Sequence, residues 1–319
     1  MSAVHGNTDA ANADCVPQPL YTLVDIGANL THPTFNNREL ETVIDRSKSA
    51  GVKRIMVTGT SVEHSREALR LSRFRPGYLF STAGVHPHDA KTFTNDSIKE
   101  LESIAAASEC VAIGECGLDF NRNFSPQNDQ LRAFEAQVAL ACRLHKPLFI
   151  HERDANTAMV DILSRFSGSL PPTVIHCFTG TIEEATKYLN MGLYIGLTGF
   201  LWKDKSENGV QAALRGRQLP LERLMLETDA PFMYPNIKAK KLPKDIVDCV
   251  TEHSRTLLSR YCTFQRNEPC SLPVIAELIG AFMNEPPESV AFNTTVNAMK
   301  VFGLGSDSEG ILGIGAEKQ

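Results

Sequence analysis

Glu115, His151, His176 and Asp229 each stand at the end of a short apolar run: VAIGE, PLFIH, TVIH and LMLETD. Side chains alternate across a strand, so an acid or imidazole closing a hydrophobic strand projects from one rim of its sheet. Two carboxylates and two imidazoles on one rim form a ligand set for one or two divalent ions. That chemistry suits a metal-dependent hydrolase. For a lone strand-end histidine the default is a packed, hydrogen-bonded core residue, so the elements that carry the four decide whether they can act together.

Eight candidate strands occur in order: LVDIGAN, RIMVTGT, LFSTAGVH, VAIGECG, PLFIHER, TVIHCFT, LYIGLTG and RLMLETD. Segments of helical composition separate them, among them 38–50, 62–72, 95–107, 127–144, 155–166 and 182–190. Within 127–144, Leu131, Phe134, Val138 and Ala141 fall on one helical face. Alternating strands and helices predict a parallel sheet. Eight such units predict an α/β fold, a TIM-type (β/α)8 barrel, rather than an open doubly wound sheet. No GxGxxG follows the first strand, which removes the main support for a dinucleotide fold. In a barrel the chemistry gathers at the C-terminal rim, where Asn29, His86 and Thr198 also fall. We expect one domain over 21–304, with extra helices after Leu242, and disordered tails at 1–20 and 305–319.

The net charge of -5 over 319 residues argues against a protein that coats nucleic acid through a global positive field, and leaves open a local grip on a few phosphates. No apolar run approaches the roughly 20 residues that span a bilayer. The first twenty residues hold no Lys or Arg and no apolar core, unlike a signal or transit peptide. Eight cysteines without a CxxC pair point to reduced, buried thiols in an intracellular protein, cytoplasmic or nuclear. Cys116, beside Glu115, is expected to pack.

Several longer segments resemble the TatD family of metal-dependent deoxyribonucleases, within the amidohydrolase superfamily. They are VDIGANLTH (24–32), AGVHPHDA (83–90), IGECGLDFNR (113–122), FIHERDA (149–155), IHCFTG (175–180), LETDAP (226–231), RNEPCSLP (266–273) and NTTVNAMKVFGL (293–304). The resemblance implies a barrel hydrolase acting on DNA phosphodiesters with one or two bound divalent ions. Carried over by position, Glu115, His151 and His176 would hold one ion. Asp229 would hold a second or take a proton from the attacking water. Many members carry an HxH pair at the end of the first strand, where this chain has Gly27 and Asn29. The oxygen donors left there suit Mg²⁺ or Mn²⁺ better than Zn²⁺.

Other rim residues admit two readings. His86 is expected to face the pocket and contact a phosphate, and His88 to cap or lie at the surface. Arg122 could bind phosphate through its fork or fix its own loop. Arg153 and Asp154 read as a loop-stabilising pair. Asp25, Asn29 and Glu227 are expected to support the ligands from behind, with Glu227 equally readable as a structural anchor. Phe200, Trp202, Lys203, Tyr234, Lys238, Lys240 and Lys241 interleave bases with aromatics, which suits a single strand as well as a solvated surface. The leading expectation is a 3′–5′ exonuclease on single-stranded DNA ends, its polarity implied by the resemblance. An ester or amide hydrolase, on an aminoacyl-tRNA or a cyclic amide, is the alternative, and a non-catalytic scaffold a third. Oligomeric state is not legible.

Overall fold

A computed structural model describes residues 19–35, 39–204 and 206–305. The expected tails lie almost wholly outside these residues. Eight parallel strands follow one another round the sheet in chain order: β1 (Leu23–Ala28), β2 (Val52–Val57), β3 (Leu79–Ala83), β4 (Cys110–Asp119), β5 (Leu148–Arg153), β6 (Thr173–His176), β7 (Tyr194–Leu197) and β8 (Leu224–Leu226). The circle is nearly closed. Ala28 bridges Ala230, the Asn29 amide donates to the Ala230 carbonyl at 2.7 Å, and the Asp229 amide donates to that of Gly27 at 2.8 Å. The expected TIM-type barrel is the fold.

Helices α1 (Leu40–Ser49), α2 (Val62–Phe74), α3 (Asn95–Ala105), α4 (Gln127–Leu144), α5 (Asn156–Arg165), α6 (Ile182–Asn190) and α7 (Val210–Arg215) cross between the strands. Their starts are written locally. Thr94 and Thr181 each form a capping box, satisfying the first free amides of α3 and α6. On α4, Phe134, Val138 and Ala141 are buried, as the periodicity predicts, with Leu131 partly buried.

After β8 come α8 (Lys244–Asp248), α9 (Glu252–Tyr261), α10 (Leu272–Met283) and α11 (Pro287–Phe302). The barrel interior is filled by Val24, Ile26, Met56, Phe80, Val111, Phe149, Val174 and Met225. Met299 and Phe302 of α11 join this cluster, so the last helix plugs the barrel end remote from the reactive rim. Phe149 has no exposed surface, and truncating a ring packed in this way costs about 3–5 kcal/mol. Among the described residues no helix is long and apolar enough to cross a membrane.

Two strand ends differ from expectation. β4 continues to Asp119, so Glu115 lies within the strand rather than at its end. Its register with β5 runs Ile113 to Leu148 and then Cys116 to Ile150, a bulge that re-aims the intervening side chain. Gly117, at φ 145°, permits the approach, since a Cβ there would collide with the His151 carbonyl. β8 ends early, at Leu226, leaving Glu227 and Asp229 on the turn beyond it.

Candidate active site at the barrel rim

The β4 bulge delivers Glu115 to the centre of a cluster of rings. Its Oε1 lies 2.7 Å from His176 Nε2, 3.2 Å from His86 Nε2 and 3.2 Å from His151 Nδ1. β5 supplies His151, β6 supplies His176, and the loop after β3 supplies His86. The other nitrogen of each ring defines its state. His86 Nδ1 accepts the His88 amide at 3.1 Å, so its proton sits on Nε2, facing Glu115. Burial, opposed by Glu115, lowers its pKa to about 4 and keeps the ring neutral.

Both nitrogens of His176 face carboxylates: Glu115, and Oε2 of Glu227 at 3.2 Å. Burial opposes its charge, but these two anions raise its pKa well above the usual value. Burial likewise opposes ionisation of Glu115, and His176 with His86 outweighs it, holding that carboxylate well below its usual range. His151 is raised against its own burial by Asp119 and Glu115. Its Nε2 is buried without a hydrogen-bond partner, standing 3.5 Å from Asp119 Oδ2.

Glu227, fully buried, also accepts the Cys177 amide. Its carboxylate sits between Gly27 and Gly196, where a Cβ on either would come within 2.5 Å of one of its oxygens. Asp119 accepts from the amides of Asn121 and Arg122 and lies 2.8 Å from His88 Nε2. Its pKa is lowered, burial being outweighed by His151 and His88. Asp229 accepts from Asn29 Nδ2 at 2.9 Å. Burial, opposed by His176 and reinforced by Glu115 and Glu227, raises its pKa to about 7.

A cavity of about 740 Å³ opens over this cluster, and Asp229, Asn29, Arg122, Trp202 and Lys203 line it with the three histidines and Glu115. Ring nitrogens converging on one carboxylate, with a further ring nitrogen buried and unpaired, are donors suited to a divalent cation. Ligand atoms of His86, Glu115 and His151 all lie within 4.8 Å of one another.

The expected residues do not all arrive here. Lys238 is exposed and does not line the cavity. Asp25 lies behind it, at the seam between β1 and β8, accepting from Thr228 N at 2.9 Å, Thr228 Oγ1 at 2.5 Å and Gly27 N at 3.2 Å. His86 faces the cavity as expected, and there its Nε2 also lies 3.2 Å from Glu115 Oε1. Asp119 was given no role by sequence reasoning. It lies four residues beyond Glu115, the same face of a strand if the run is extended past Gly117.

The TatD related DNase family model matches residues 24–303. The chain is 40% identical over 289 residues to the 3′-5′ ssDNA/RNA exonuclease TatD of Musicola paradisiaca, covering 90% of this chain and all of that one. It is 41% identical over 282 residues to the like-named protein of Pantoea sp. At-9b, covering 88% of this chain and all of that one. Among solved structures, a TatD homologue of Escherichia coli K12 superposes with a TM-score of 0.74 at 25% identity, covering 88% of this chain and 98% of that one. A TatD family hydrolase of Entamoeba histolytica shares the fold with a TM-score of 0.75 at 24% identity, over 91% of this chain and 100% of that one. By the family match and by these relatives, the chain belongs to the TatD-related DNase family.

Proposed function

We infer that the protein is a metal-dependent deoxyribonuclease that trims single strands from the 3′ end, as its curated relatives are named to do. The observation that carries this reading is the convergence of three imidazole nitrogens on Glu115 Oε1, beneath a cavity wide enough for a nucleotide. The family implies a divalent cation. Glu115, His151 and His176 would hold it, while His86 donates its Nε2–H to Glu115. Mg²⁺ or Mn²⁺ is our choice, because Gly27 and Asn29 replace the imidazole pair of other members. A bound cation supplies a Lewis acid that acidifies water and offsets charge on the phosphoryl oxygens. Asp229 takes the proton of the attacking water or helps hold a second ion. Arg122, after β4, and Lys203, after β7, both line the cavity and neutralise the backbone of the strand. We take 21–304 as the catalytic unit. The free thiols of the described residues suit the cytoplasm.

End-labelled single-stranded DNA, duplex DNA, RNA and a chromogenic ester, each with Mg²⁺, Mn²⁺, Zn²⁺ or chelator, test the reading on wild type and Glu115→Ala. Release of mononucleotides from the 3′ end should stop with chelator and in the variant. Ester cleavage without nucleotide release would replace this reading with the carbonyl-hydrolase alternative.

A further inference from the structure

Six large apolar side chains stay exposed among the described residues: Leu20, Phe74, Phe124, Phe232, Phe264 and Phe292. Two of them, Phe232 at 49% and Phe264 at 56% exposure, line the mouth of the rim cavity. A ring left in water forgoes its hydrophobic gain, so exposed rings gathered at one mouth call for a ligand.

Both rings are held in similar ways. Phe264 meets Trp202 edge-on, with centroids 5.9 Å apart at 64°, and Phe232 meets His32 edge-on at 5.3 Å and 79°. An edge-on neighbour fixes a ring without the overlap of a full face-to-face stack. The backing is itself anchored: Trp202 is half-buried and its Nε1 donates to the Tyr234 carbonyl at 2.8 Å. Phe264 sits in a tight turn closed by reciprocal backbone hydrogen bonds between Thr263 and Arg266, and Arg266 Nη1 is tied to Glu39 at 2.9 Å. Phe232 lies three residues past Asp229, and its amide donates to the Asp229 carbonyl at 2.8 Å. Lys203 Nζ stands 5.2 Å from the Trp202 ring and 5.8 Å from the Phe264 ring.

Half-exposed rings held by their neighbours, with a cation over one of them, match the chemistry of a nucleobase attached to its phosphate. We propose that Phe264 and Phe232 are stacking posts for unpaired bases at the end of the strand being cut, with Trp202 the support of one post rather than the platform itself. The proposal rests on the nuclease reading above. It makes the site selective for single strands by base stacking rather than by base identity, because bases inside a duplex cannot offer their faces.

The test is kcat/KM on a labelled single strand, intact or abasic at its two terminal positions, for wild type, Phe264→Ala, Phe232→Ala and Phe264→Trp. Wild type should lose about tenfold or more on the abasic end. Each alanine variant should lose about tenfold on the intact end but less than about threefold on the abasic one, and Phe264→Trp should recover most of the rate. Thermal melts check that the exposed substitutions leave the fold intact. Equal cutting of both ends by wild type, equal losses on both ends in the variants, or no loss at all would overturn the stacking posts while leaving the nuclease standing. Failure of wild type to cut any strand would instead remove the nuclease reading, and the posts with it.

Discussion

The Nδ1 atom of His176 lies 3.2 Å from Oε2 of Glu227, while the opposite nitrogen of the same ring faces Glu115. Glu227 therefore sets how His176 presents Nε2 to the site, the arrangement by which a carboxylate orients an imidazole ligand and raises its basicity. Glu227→Ala should weaken Mn²⁺ binding by about 10- to 100-fold, read by calorimetric titration. Glu227→Gln, whose amide oxygen can still accept from Nδ1–H, should recover part of it. If both variants bind Mn²⁺ as wild type does, Glu227 is only a packing anchor.

Gly27 leaves room for that same carboxylate. A Cβ at position 27 would lie 2.5 Å from Glu227 Oε2 and 3.0 Å from the Phe149 ring. Restoring an imidazole pair through Gly27→His with Asn29→His should therefore displace Glu227 from His176. We expect nuclease activity to fall at least about tenfold, in line with loss of a group that orients a metal ligand. A variant that gains Zn²⁺-supported activity would show that the space is free after all.

Asn29 donates to Asp229 and so favours its ionised form. The carboxylate can accept a proton or bind a cation only when ionised, so activity should rise with pH through its pKa, which burial raises to about 7 before any cation binds. Asn29→Ala removes a lowering influence, and the acid limb of the pH–rate profile should move upward by about one unit. An unmoved limb would detach Asp229 from the rate.

Asp25 carries a prediction for stability alone. Its pKa rises from the ordinary 3.8 to about 7, chiefly through burial, against the lowering effect of the Thr228 and Gly27 donors. Between those values the folded state holds a proton that the unfolded chain has lost. The stabilisation is thus complete below about pH 4 and disappears as pH rises through about 7. Asp25→Asn cannot ionise, so its thermal midpoint relative to wild type should improve from about pH 5 to about pH 8. A constant difference across that range would mean that Asp25 does not titrate in the fold.

Local pattern carried much of this architecture. Period-two and helical hydrophobicity located the eight strands and placed α4 and α6 at their observed limits, because burial on one face is a property of neighbouring residues. The same logic put Glu115, His151, His176 and Asp229 at one rim. What lay beyond the pattern depends on closure of the barrel. The β4 bulge decides where Glu115 points, and strand-end position alone could not anticipate that His86 would share its oxygen. Asn29 meets Asp229 across 200 residues only because β1 lies beside β8. Phe264, unremarked in the sequence, reaches Trp202 because α9 and the turn after it fold back over the rim. Residue type and spacing determined the elements and the chemistry available on them. Distances between groups remote in the chain, and hence which groups share a proton, a cation or a base, were decided by the tertiary structure, since packing across the barrel leaves no periodic trace in the sequence.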